Sequence, residues 1–277
     1  MSNRQNLAFD DWPKRKSSSN ITPIKKPKKD PFLMGVLLFS GLFFIFSISQ
    51  LNIEYSRLIA GTAEFFSMIG KMFPPDVSDW RYILPAAVES LQVGILGTVI
   101  AIIVSIFLGF LAAENLTPHK SVSFIIKGFA TLMRVIPTIV WALIFIVAVG
   151  LGPLPGVLAI AVHSLGMLIK AFAQSVEEMD NGKIEALRAT GASQFQIIAQ
   201  GVIPTVFTAL VSWSFLRLEI DIGESTILGL VGAGGIGWEL SRAMRGYHFD
   251  QALFIAFVIF IMIFSFEMLS NRFKTKM

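Results

Sequence analysis

The chain of 277 residues has no cysteine, which excludes a disulfide framework and any thiolate-based metal or redox chemistry. Histidine is nearly as scarce, at three residues, and with no cysteine beside it the sequence offers no metal-ligand set. Charged residues make up only 15% against 54% hydrophobic, and the mean hydropathy is +0.67. That balance excludes an ordinary soluble domain of this length. The scattered polar residues assemble no nucleophile, base and oxyanion-stabilising group, so no catalytic residue is assigned and a membrane-bound enzyme lacks its constellation.

What is present is apolar length. Six runs, near residues 32–51, 86–113, 124–149, 154–175, 204–221 and 251–270, approach the ~20 residues a helix needs to cross a hydrocarbon core. Polar, Gly- or Pro-marked turns separate them, so the expected fold is an all-α integral membrane protein with six transmembrane helices rather than a barrel. Residues 1–31 carry Lys14-Arg15-Lys16 and Lys25-Lys26-Pro27-Lys28-Lys29 among serines and prolines, a tail too polar to fold alone. Beside a membrane helix, such a tail reads as cytoplasmic and drawn to anionic membrane lipid rather than to nucleic acid. No small-residue cleavage pattern follows residues 32–51, which are therefore expected to stay as the first membrane helix.

With the N-terminus inside, the inner segments hold 14 Lys/Arg: eight in the tail, Lys120, Lys183, Arg188, Arg272, Lys274 and Lys276. The outer segments hold five, Arg57, Lys71, Arg81, Arg242 and Arg245. This asymmetry predicts a multi-pass membrane protein with both termini cytoplasmic. The expected organisation is a basic tail over 1–31, a first transmembrane helix over 32–51 and an outer amphipathic connector over 52–85. A core follows over 86–270, with a cytoplasmic loop at 177–203, and a C-terminal tail over 271–277. The connector reads either as an interfacial helix along the outer leaflet or as a simple link packed on the core.

Ionisable residues inside apolar runs are costly, which draws attention to Arg134, His163, Lys170, Arg217, Glu219 and Asp221. Arg134, His163 and Lys170 are candidates for a solute pathway; His163 and Lys170, seven apart, share nearly one helical face. Each has a structural alternative. Arg134 precedes Pro137 and can snorkel or bond freed carbonyls, Lys170 can snorkel, and His163 can hydrogen-bond a neighbouring helix. Arg217 and Asp221, four apart, can simply pair.

The loop at 177–203 contains Glu185-Ala186-Leu187-Arg188-Ala189-Thr190-Gly191, then Pro204. Ile184, Leu187, Gly191, Phe195 and Ile198 recur at spacings near three and four, predicting a short helix with an apolar ridge and with Glu185 and Arg188 in polar surroundings. Here the chain resembles the permease subunits of ATP-binding-cassette importers, whose corresponding loop reads E-A-A, three residues, G, nine residues, I-x-L-P. Glu185, Ala186, Gly191 and Pro204 match; Leu187, Gly201 and Ile203 depart. The resemblance implies a type I importer permease in which Glu185, Ala186, Leu187 and Gly191 couple to a separate ATPase subunit.

The run Gly232-Ala233-Gly234-Gly235-Ile236-Gly237 lacks the Lys-Ser/Thr ending of a phosphate loop and the preceding strand of a dinucleotide fingerprint. It suits a re-entrant bend, with Gly232, Gly234, Gly235 and Gly237 as candidate gate residues. A narrower resemblance is to phosphonate-importer permeases and their phosphite-importing relatives. It rests on Ala113-Glu114-Asn115-Leu116, Ala148-Val149-Gly150-Leu151-Gly152-Pro153, Gly156-Val157-Leu158-Ala159, Arg188-Ala189-Thr190-Gly191-Ala192 and the glycine run. It implies a homodimer, two ATPase subunits that hold ATP and Mg while this chain holds no cofactor, and an extracytoplasmic substrate-binding protein. Gly223, followed by Glu224, stands where such relatives often carry Arg. The competing reading is an ion-coupled secondary transporter, which would need no ATPase and would be built on broken midplane helices and an internal repeat.

Overall fold

Residues 30–51 and 54–274 are described in a computed structural model. The Lys14-Arg15-Lys16 and Lys25-Lys26-Pro27-Lys28-Lys29 clusters, and Lys276 in the C-terminal tail, lie outside the described residues. Among those that are described, every regular element is helical. Two compact units divide between Gly61 and Thr62. In the first, the Asp30 carboxylate accepts from the Phe32 N–H and caps α1 (Pro31–Gln50), with Pro31 at the one place in a helix where a missing donor costs nothing. This helix is apolar all round, the pattern of a membrane span. The next helix, α2 (Tyr55–Met72), runs across the division and is amphipathic, and Glu54 pairs with Arg57 in its first turn.

The second unit is organised by small residues. Along α3 (Trp80–Ala112), Gly94, Gly97, Thr98, Ala101, Ser105, Gly109 and Ala112 recur every three or four positions and are buried. Between membrane helices no hydrophobic force draws the surfaces together, so a stripe of small residues is what lets backbones approach. Here it admits α6 (Pro153–Glu177): a Cβ on Gly97 would stand 2.6 Å from Ile160, and one on Gly109 would stand 2.8 Å from Phe172. Beside them lies α9 (Ile203–Leu230), whose Ile222 touches Gly94. The remaining membrane-length helix is α11 (Phe249–Lys274), packed with α10 (Gly235–Arg245) on α3 through Ile83, Ile236 and Ile255.

Three expectations need adjusting. Membrane helix α3 starts at Trp80, before residue 86, and α9 continues past residue 221 to Leu230. The run at 124–149 is not one straight span but two helices, α4 (Lys120–Val135) and α5 (Thr138–Val149), bent by 88°. Pro137 is the cause, since it supplies no N–H for the preceding turn and its ring holds Ile136 extended. The loop at 177–203 is itself largely helical, with α7 (Asn181–Ala189), the single turn α8 (Gln194–Gln196) and a π turn over Ile197–Val202. That π turn leads into Pro204, whose missing N–H cannot close an α-type bond to Gln200.

Candidate functional site

The break at Pro137 strands two backbone carbonyls in an apolar setting, and two side chains meet them. Met133, four residues before the proline, loses its helical donor, and the Trp141 indole N–H donates to its carbonyl at 3.1 Å. The Ile136 carbonyl lies 3.1 Å from His163 Nδ1, so the imidazole carries its proton there and donates. Leaving either carbonyl unsatisfied would cost about 1–3 kcal/mol, enough to make both contacts part of the elbow's structure. His163 thus ties α6 to the link between α4 and α5. Arg134 does not serve the freed carbonyls; its side chain is exposed, while its backbone lies against Gly166, where a Cβ would stand 2.7 Å from Arg134 N. Lys170 is half-buried two turns along α6.

Adjoining this elbow, four helices share a buried ion network. Arg217, 4% exposed, and Asp221, fully buried, meet at 2.6 Å along α9. The other Asp221 oxygen accepts from the hydroxyls of Thr98 on α3 and Ser164 on α6, each at 2.7 Å. Ser164 in turn accepts from Arg217 Nε at 2.9 Å. Glu224 completes the set: its Oε2 lies 3.2 Å from Arg217 Nη2 and accepts from Thr138, the first residue of α5, at 2.7 Å. Such a pair, stripped of one partner, leaves a buried charge at a cost of about 3–5 kcal/mol. Glu219, also on α9, is instead paired with Lys274 at 3.0 Å.

At the end of the bundle where α3 and α6 finish, α7 stands out as an arm. The Asp180 carboxylate caps its start by accepting from Gly182 N–H. Its other end closes when Gly191, at φ 80°, donates to Arg188 O and Ala192 donates to Leu187 O. That pair of bonds defines a Schellman turn, whose left-handed position suits glycine. Ile184 is buried and Leu187 half-buried, whereas Glu185, Ala186 and Arg188 are exposed. The ridge drawn from spacing includes two misplaced members, since Gly191 is exposed and Phe195 is 78% exposed. Leu187 packs over Gly201 so closely that a Cβ there would overlap its Cδ1.

The loop joining α3 to α4 fastens this arm to the bundle. Lys127 Nζ reaches Glu114 at 3.0 Å and Glu177, the last residue of α6, at 2.8 Å. Glu177 also accepts from the Glu114 N–H, Asn115 donates to Val176 O, and Gln194 of α8 donates to Leu116 O. The hydrogen bond and charge of Lys127 hold the exposed Glu114 carboxylate below its ordinary pKa.

At the opposite end, the glycine run forms the tight turn from α9 into α10. Gly234 has φ 73°, and a Cβ on Gly237 would overlap the Thr226 carbonyl, so α10 folds straight back onto α9. Gly235 packs on Ser90, whose hydroxyl accepts from Ile236 N–H, and Gly232 O accepts from Gly152 N–H. The turn thereby joins α3 at Ser90 to the start of α6, the end of α9 and the start of α10.

Residues 105–276 match the family described as binding-protein-dependent transport system inner membrane component. The chain belongs to that family. It is 40% identical over 215 residues to the phosphate-import permease protein PhnE of Mycolicibacterium smegmatis, covering 78% of this chain and 40% of that protein. This chain therefore spans well under half of the mycobacterial relative. It is 35% identical over 211 residues to the phosphite transport system permease protein PtxC of Stutzerimonas stutzeri, covering 76% of this chain and 77% of that one. Its fold is that of a solved chain from the MetNI methionine ABC transporter in an inward-facing crystal form. The two are 19% identical with a TM-score of 0.64, over 72% of this chain and 98% of the other.

As a permease of this family, the protein is a multi-pass inner-membrane subunit of an ABC transporter. Its polar groups fall at three levels: the arm, the Arg217–Asp221–Glu224 network and the glycine turn. Arg134 and His163 come together at the elbow, while Lys170 lies further along α6 toward the arm. Thr98, Thr138, Ser164 and Trp141 escape sequence reasoning. The one signal that finds any of them is Pro137, which marks Met133 O as a freed acceptor and an indole four residues later as a donor within reach.

Proposed function

We propose that this chain, as a homodimer, forms the translocation pathway of an ATP-driven importer for a phosphonate or a related phosphorus oxyanion such as phosphite or phosphate. Two separate ATPase subunits, holding ATP and Mg, dock on the α7 arms from the cytoplasm. An extracytoplasmic binding protein delivers the solute at the glycine-turn end. Both termini are cytoplasmic, which agrees with the excess of Lys/Arg on the arm side.

The observation that carries this reading is the arm itself. A nine-residue helix, capped at both ends, presents Glu185, Ala186 and Arg188 to solvent while Ile184 and Leu187 hold it to the bundle. Such a knob is rigid and shape-specific, which is what a partner needs in order to push on the membrane helices. Support for the solute class comes from the relatives named for phosphate and phosphite. Glu185, Ala186, Leu187 and Gly191 are the coupling residues in this reading. Gly232, Gly234, Gly235 and Gly237 are the gate, and Arg134, His163 and Lys170 border the pathway. The docked binding protein and ATP favour an outward-facing state, and hydrolysis resets it.

The test is reconstitution of this chain with its ATPase and binding protein in lipid vesicles, with ATP-dependent uptake measured for phosphonates, phosphite and phosphate. Uptake that requires both partners supports the reading. Uptake by this chain alone, driven by an ion gradient, overturns it.

A further inference from the structure

The buried network holds one cation between two carboxylates, and the two are not equivalent. Asp221 is fully buried, sits 2.6 Å from the guanidinium and is fixed by two hydroxyls. Glu224 sits farther away, at 3.2 Å, and its side chain is 24% exposed. The guanidinium is also incompletely used. Nε is taken by Ser164 and Nη2 by the two carboxylates, but among the described residues Nη1 has only the Met167 sulfur, a weak acceptor, at 3.9 Å. A guanidinium fork is suited to two oxygens at once, and Glu224 engages only one arm of it.

Of the two carboxylates, Glu224 is the one that reaches exposed surface. Ile220, Glu224 and Ile227 lie three or four residues apart, with Ile220 and Ile227 exposed, and Gly223, next to Glu224, is half-buried. A Cβ on Gly223 would meet nothing within 4 Å, so there is room beside Glu224 for its carboxylate to swing aside.

We propose that Arg217 is an oxyanion subsite within the membrane and that Glu224 is its internal stand-in, displaced when the transported anion arrives. This rests on the reading of the chain as an oxyanion importer. Two oxygens of the incoming anion take the Nη1 and Nη2 arms, and the Thr138 hydroxyl turns from Glu224 to a third oxygen. Charge requires exchange rather than addition: Arg217, Asp221 and Glu224 already sum to one negative charge, and a second anion beside a seated Glu224 would be repelled. The exchange also explains how a pathway keeps a cation without trapping its solute. A tethered carboxylate competes at an effective concentration on the order of mM, so the anion is held weakly and leaves when the inner path opens. Because Thr138 begins α5, the same exchange frees the Pro137 elbow from α9.

The test uses the permease–ATPase complex in lipid nanodiscs without binding protein, with phosphite and methylphosphonate as probes and phosphorus-NMR line broadening to read weak binding. Glu224→Gln keeps an acceptor for Thr138 but releases the guanidinium, and is expected to tighten binding about tenfold, as removal of an internal competitor should. Glu219→Gln, which removes a carboxylate from the same helix but from the Lys274 pair, is expected to leave binding unchanged. Equal tightening in both variants would reduce the effect to bulk charge and overturn the subsite. So would unchanged binding in Glu224→Gln within a complex whose wild type, with its binding protein, takes up the probes. A wild-type complex that transports no phosphorus oxyanion under ATP would instead overturn the importer reading beneath it.

Discussion

Leu187 lies over Gly201, and each explains the other. The importer pattern has a small residue where Leu187 stands and a bulky one where Gly201 stands, so two departures that look independent in sequence are a single exchange of volume in the fold. The Leu187 methyl occupies the space that a side chain on residue 201 would fill. The contact joins the arm to the π turn that leads into α9.

Gly201→Ala therefore forces Leu187 outward, with an overpacking cost of about 1–3 kcal/mol. ATP hydrolysis in the reconstituted complex should persist while uptake per ATP falls. Adding Leu187→Ala should restore coupling, with an interaction energy of about 0.5–3 kcal/mol in the double-mutant cycle. Additive losses would show that the two side chains do not act together.

The elbow makes a prediction of the same form. Trp141→Phe leaves Met133 O without its donor and should lower stability by about 1–3 kcal/mol, read as thermal unfolding of the permease in nanodiscs. Pro137→Ala supplies a backbone N–H at the position whose absence freed that carbonyl. In that background Trp141→Phe should cost distinctly less. An equal cost in both backgrounds would mean that the indole serves packing rather than the carbonyl.

Much of this architecture was legible because membrane helices announce themselves by length and because the Schellman turn needs its glycine where Gly191 stands. The arm was legible from the apolar spacing of Ile184 and Leu187 and from the resemblance carried by Glu185, Ala186, Gly191 and Pro204. Arg217 and Asp221 were visible as a pair from their spacing alone. Their partners were not: Thr98 and Ser164 are ordinary small polar residues, 123 and 57 positions from Asp221, and nothing local marks a hydroxyl that will face a carboxylate on another helix. The run at 124–149 read as one span because apolar length outweighed a single proline. Two extended residues at Ile136 and Pro137 suffice to turn the chain through a right angle. Phe195 was assigned to the buried ridge because helical spacing was carried across the break at Gly191, where the chain starts a new helix.

Lys127 bridges the α3–α4 loop and the end of α6. Its pairs with Glu114 and Glu177 are partly exposed, so Lys127→Met should change stability by only about 0–1 kcal/mol. The larger effect should be on coupling, since α7 begins three residues after the α6 cap at Glu178. Uptake per ATP should fall in Lys127→Glu and recover in part when Glu177→Lys is added. Glu114 titrates below its ordinary pKa, so its share of the contact is fully present above that ordinary value and is lost only as pH falls through the depressed one. Coupling should accordingly hold from neutral pH down to mildly acid pH. A loss of coupling already near pH 6 would assign the sensitivity to another group.

Glu185 is the exposed carboxylate at the middle of the arm and bonds to nothing among the described residues: the helix is held by Ile184 and Leu187 and closed by Asp180 and Gly191. Reversing its charge should therefore leave insertion and thermal stability within about 0.5 kcal/mol of wild type, the usual range for surface substitutions. Docking is different, because a like charge brought against a complementary surface costs several kcal/mol. Glu185→Arg should abolish stable association with the ATPase in a pull-down from detergent, while Lys183→Glu, in the first turn of the same helix, should weaken it far less. Equal effects from the two would point to the overall charge of the arm. Intact association in Glu185→Arg, with normal coupled uptake, would remove Glu185 from the interface and leave the apolar and glycine-closed shape of the helix as its only basis.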